Sequence, residues 1–135
     1  MDGTAEQRHR VLFIATKPVV AAWDVRATTA ATVMAVDVDG IVDPLEIVLR
    51  DPPHIIVMEE PATWTERGVM LVGRLHLDPA LLNIELRVLS SDRTAELLER
   101  PSAATLLALT RTLRLASARR ARPRRAVRFG RYTGP

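Results

Sequence analysis

Apolar residues fall along this chain in short blocks, and the spacing inside each block predicts an element. Val11-Leu12-Phe13-Ile14-Ala15 is a continuous run of strand length, broken by Thr16-Lys17-Pro18. Ile55-Ile56-Val57-Met58 is another, preceded by Pro52-Pro53 and His54 and closed by Glu59, Glu60 and Pro61. Unbroken apolar runs between breakers suit strands covered on both faces, as in the middle of a parallel sheet. Residues 32–38 (TVMAVDV) are β-branched and partly alternating, and residues 84–89 (IELRVL) give a further strand. Between these runs the period changes. Val20, Trp23, Ala27 and Ala30 recur at helical spacing within 19–30, with Pro18 near the helix N-terminus. Asp39-Gly40 marks a turn, and Asp43-Pro44 opens a short helix with Leu45, Val48 and Leu49 on one face. An imperfect stripe of Val69, Val72, Gly73, Leu75 and Leu77 predicts another helix within 65–77.

Residues 94–99 (TAELLE) fit either a short strand or a helical turn. Pro101 punctuates the chain, and Ser102 is a suitable N-cap for a last helix over 103–119. That helix places Leu106, Leu109 and Leu113 inward, with Arg111 and Arg114 outward. Alternating β and α elements joined by short connections predict a doubly wound α/β sheet with right-handed crossovers. The expected organisation is a disordered start over 1–10, one domain over 11–119 and a flexible tail over 120–135.

Composition narrows the functional classes. A chain of 135 residues is one domain by the usual prior, long enough to bury roughly two thirds of its unfolded surface. It contains no cysteine, which excludes disulfides and thiolate metal sites. The first strand is not followed by a Gly-rich phosphate loop, and no zinc-ligand spacing occurs. Without a signal-like or membrane-spanning apolar run, a cytoplasmic protein with no membrane association is expected. Charge is unevenly divided. Residues 1–100 carry 10 Lys+Arg against 16 Asp+Glu, whereas residues 101–135 carry nine arginines and no acid.

In an open parallel sheet, ligands sit outside the carboxyl ends of the strands. Those ends here bring together Ala15, Thr16 and Lys17, then Glu59 and Glu60, then Ser90 and Ser91, and, if 94–99 is a strand, Glu99 and Arg100. With VLFIATKP as first strand, Asp39-Gly40 before the second helix, PHIIVMEE as central strand, Val88-Leu89-Ser90, and Leu97-Leu98-Glu99-Arg100-Pro101, the layout resembles the receiver domain of two-component response regulators. The resemblance spans residues 10–114. It implies a flavodoxin-like, parallel five-stranded sheet. Nine residues separate Ser90 from Arg100, so the helix after the fourth strand is expected to be shortened or missing, leaving a different output surface.

Receivers catalyse their own phosphorylation with an acidic pair that holds Mg²⁺, an acceptor aspartate, a hydroxyl and a lysine. Carried over by position, the acidic pair falls on Ala15 and Thr16, the acceptor on Glu59 or Glu60, the hydroxyl on Ser90 and the lysine on Arg100. Ala15 offers no ligand, Thr16 only a neutral hydroxyl, and Lys17 adds positive charge where the cation would sit. The resemblance therefore implies a degenerate member, a pseudo-receiver that is not an enzyme and has no metal or cofactor, acting as a signalling or regulatory protein-interaction module. Glu59 is expected to serve as a built-in anion near Lys17 and Arg100. A phosphoacceptor with an unusual site is one alternative. The other is an adaptor binding nucleic acid, or an acidic partner, through Arg119, Arg120, Arg122, Arg124, Arg125, Arg128 and Arg131, with Phe129 and Tyr132 between them. The tail is also read as simply solvated or folded back on the acidic body. The protein partner is not legible.

Overall fold

A computed structural model describes residues 10–26 and 33–113. Residues 1–9 of the expected disordered start, Ala27, Ala30, Thr32 and the whole arginine tail beyond Leu113 lie outside the described residues. Arg10, expected in that start, is ordered, its amide donating to His54 Nδ1 at 2.9 Å and its guanidinium to the Pro52 carbonyl at 2.8 Å. Five strands form one sheet: β1 (Val11–Ala15), β2 (Val33–Asp37), β3 (Ile55–Glu59), β4 (Glu85–Leu89) and β5 (Arg111–Thr112). Their order is β2-β1-β3-β4-β5. The first four are parallel, with Phe13 opposite Val57 and Val57 opposite Arg87. The two unbroken apolar runs, β1 and β3, are fully buried, which is what a strand covered on both faces requires.

Helices cover both faces. Alternate residues of β1 and β3 pack with α1 (Lys17–Arg26), α4 (Thr94–Glu99) and α5 (Ala103–Ala108), through Val19, Trp23, Leu97 and Leu106. Phe13 and Trp23 meet edge to face with centroids 5.6 Å apart. The other residues of those strands, Leu12, Ile14, Ile56 and Met58, pack with α2 (Pro44–Arg50) and α3 (Glu66–Leu77), through Val48, Leu71 and Leu75. Full burial of each such side chain stabilises the fold by roughly 1.5–3 kcal/mol. Local signals start these helices: Asp43 accepts from the Leu45 amide at 3.0 Å, Thr65 from Gly68, and Ser102 from Thr105. Gly68 is required by space. A Cβ there would collide with the carbonyl oxygen of Ala62, in the 3₁₀ turn Glu60–Trp64 that precedes α3. None of the helices among the described residues is long and apolar enough to cross a membrane.

Three expectations are corrected. The sheet is mostly, not wholly, parallel. Residues 94–99 form helix α4, so the fifth strand is β5, which runs antiparallel to β4 with Arg111 opposite Val88. The chain re-enters the sheet at the end of β4 from which it left, and a strand begun there can only run back. The last helix also stops at Ala108 rather than continuing to 119, although its period of leucines suits a helix. Pairing with the open edge of β4 outweighs that period. Arg87 fixes the junction by donating to Glu85 at 2.8 Å and to the Leu107 carbonyl at 3.0 Å, while Thr112 donates to the same Glu85 oxygen. Finally, α3 buries Gly68, Leu71 and Leu75, leaving Val69 and Leu77 of the expected stripe exposed.

Candidate functional site

The parallel strands β1, β3 and β4 end side by side, and the residues at and just beyond their ends form a set of polar pairs. Among the described residues, Glu59 is the buried polar one, only 5% exposed, at the end of the central strand. A buried carboxylate is tolerated only when donors replace its water. Thr16 supplies two. Its amide donates to Glu59 Oε1 at 2.7 Å and its hydroxyl to the same oxygen at 2.8 Å. Thr16 also starts α1, its carbonyl accepting from the amides of Val19 and Val20 at 3.0 and 3.1 Å. The carboxylate therefore sits at the positive end of a ten-residue helix.

Glu60 faces the other neighbour. Its Oε1 accepts from the Ser91 amide at 3.0 Å, which ties the exit of β3 to the exit of β4. Ser90 donates its hydroxyl to Asp92 Oδ1 at 2.7 Å. That hydrogen bond holds the Asp92 carboxyl below its ordinary value, helped by its own backbone amide and the nearby Arg93 charge.

The structure thus brings Thr16, Glu59, Glu60 and Ser90 to the same edge of the sheet, but corrects the partners expected for Glu59. Lys17 is exposed, and Arg100 lies 3.9 Å from Glu96 with most of its side chain in solvent. Glu59 is held by neutral donors instead of cations. Ala15 is fully buried and brings no polar atom. The arginines from Arg119 to Arg131 lie outside the described residues. Asp92 and the Thr16–Glu59 pairing were missed in the sequence. The Ser90-x-Asp92 spacing is the local signal that a side-chain turn closes there, whereas a contact spanning 43 positions leaves no local signal.

A hard divalent cation needs several carboxylate or water oxygens. Ala15 has none to give, Thr16 spends its hydroxyl on Glu59, and the Glu59 oxygen nearest β1 already accepts two hydrogen bonds. These strand ends do not fit Mg²⁺. Among the described residues, no group of three or more His, Asp or Glu side chains is arranged to hold a metal ion. Comparison with protein-family models, curated proteins and solved structures gives no match to this chain.

Proposed function

We propose that the chain is a pseudo-receiver: a flavodoxin-like domain of the two-component type that works as a phosphorylation-independent, regulatory protein-interaction module. One observation carries this reading. At the end of the central strand, where a receiver presents its phosphoacceptor, stands a buried carboxylate whose charge is already satisfied from the end of β1. A receiver gains its active arrangement when an anion arrives at that point and recruits neighbouring groups. Here the anion is part of the chain, and the groups around it are held in one arrangement. The strand order β2-β1-β3-β4 supports the same reading, as does the hydroxyl residue Ser90 at the end of β4.

The test is chemical. Incubation with acetyl phosphate and Mg²⁺ is expected to leave the intact mass unchanged. A phosphoryl adduct mapped by mass spectrometry to Glu59 or Glu60 overturns the proposal and makes the chain an active phosphoacceptor.

A further inference from the structure

On the face of the sheet that carries α2 and α3, the helices stop short of the β4–β5 edge. An open groove of about 340 Å³ runs there, between α3 and the last two strands. Val72, Val88 and Leu113 line it, with Trp64 and Val69 at its rim and Glu60 at one end. Trp64 is 69% exposed and Val69 58%. A large aromatic and a valine, both mostly in water in the lining of one apolar trough, form a surface suited to an occupant.

The chain itself supplies the occupant with the best claim. Leu113, the last described residue, is part of the groove wall, and its amide is bonded to the Leu86 carbonyl. The next 22 residues therefore start at the groove. They carry eight arginines and no acid, interleaved with Leu115, Val127, Phe129 and Tyr132. Residues 10–113 hold 10 Lys+Arg against 14 Asp+Glu, a balance of −4. One of those acids, Glu60, lies in the groove lining itself.

We propose that residues 114–135 dock back onto this groove as an intramolecular cover, apolar side chains in the trough and arginines against the acidic body. Tethering makes this effective. With an effective concentration in the mM range, even a contact with a Kd of ~0.1 mM is closed about nine-tenths of the time. The docking is independent of whether the strand ends take phosphate.

Trp64 reports on the groove directly, because the other tryptophan, Trp23, is buried. Acrylamide quenching of tryptophan fluorescence would be measured on three proteins. These are the full chain, a chain ending at Leu113, and a full-length variant with Arg119, Arg120, Arg122, Arg124 and Arg125 replaced by Ser. Quenching in the full chain at low salt is expected to be several-fold weaker than in the other two. It should rise with added NaCl, since acrylamide is neutral and salt weakens only the arginine contacts. It should not depend on protein concentration. If the shortened chain fails to fold, the Arg→Ser variant and the salt series still decide. Equal quenching in the full chain and the Arg→Ser variant overturns the proposal. So does protection that grows with protein concentration, which would place a second copy in the groove. Protection that appears only when a single-stranded oligonucleotide is added also overturns it, and would give the tail a nucleic-acid role.

Discussion

Replacing Thr16 by valine tests how the buried carboxylate is held. The change keeps shape and β-branching but deletes the hydroxyl that donates to Glu59 Oε1, leaving only the Thr16 amide as donor. Hydrogen bonds to charged groups contribute about 1.5–3 kcal/mol each, and a buried carboxylate that loses one recovers little from solvent. A loss of about 2 kcal/mol is therefore expected. With a urea m-value near 2 kcal/mol/M, that shifts the unfolding midpoint down by about 1 M. Thr16→Ser keeps the hydroxyl and should retain most of the stability, which separates the hydrogen bond from any effect of the β-methyl. In a Glu59→Gln background the acceptor is neutral, and a neutral hydrogen bond contributes about 1 kcal/mol. Thr16→Val should then cost about 1 kcal/mol less than in the native protein, a coupling well above the error of a double-mutant cycle. Lys17→Gln and Arg100→Gln serve as controls. Neither side chain bonds the carboxylate, so each should change stability by less than about 0.5 kcal/mol. A Thr16→Val cost under ~0.5 kcal/mol at unchanged m, or strong coupling of Arg100 to Glu59, would refute the reasoning.

Two further outcomes follow from local geometry. Gly68→Ala should destabilise by about 1–3 kcal/mol despite alanine's better helix propensity, because the new methyl overlaps the Ala62 carbonyl and the preceding turn must shift; thermal unfolding checks it. Ser90→Ala should move the Asp92 pKa up toward the ordinary carboxylate value, read from its carboxyl carbon shift by NMR. Because Asp92 is depressed in the folded state, its contribution to stability is present above the unfolded pKa and lost as pH falls through the folded one. The serine and alanine proteins should therefore converge in strongly acid solution, and a pKa unmoved by Ser90→Ala would remove the hydroxyl as its cause.

The elements that could be read in the sequence are those whose signal is local. Continuous apolar runs marked β1 and β3 because both faces of each strand are buried, and Asp43 and Ser102 marked helix starts because caps act within three residues. The fifth strand was not legible. Leu106, Leu109 and Leu113 keep helical spacing, and only the open edge of β4, distant in sequence, turns Arg111 and Thr112 into a strand. The site divides in the same way. That Glu59 ends the central strand follows from the run before it. That its partner is Thr16 rather than a cation depends on how β1 and β3 lie together, and charge alone pointed to Lys17 and Arg100.

The reversal of β5 also gives the molecule a polarity. Glu59 and Ser90 crown one pole of the sheet, where four parallel strands finish. A chain whose fifth strand was also parallel would leave from that same pole. This one turns around beside Val88 and, at Leu113, is heading for the opposite pole, where β1, β3 and β4 begin. At Leu113 the chain is level with Leu86, three residues back from the Leu89 that pairs with Glu59, on the order of 10 Å along the strand. Cargo inserted in the connection after β4 would stand directly over that crown.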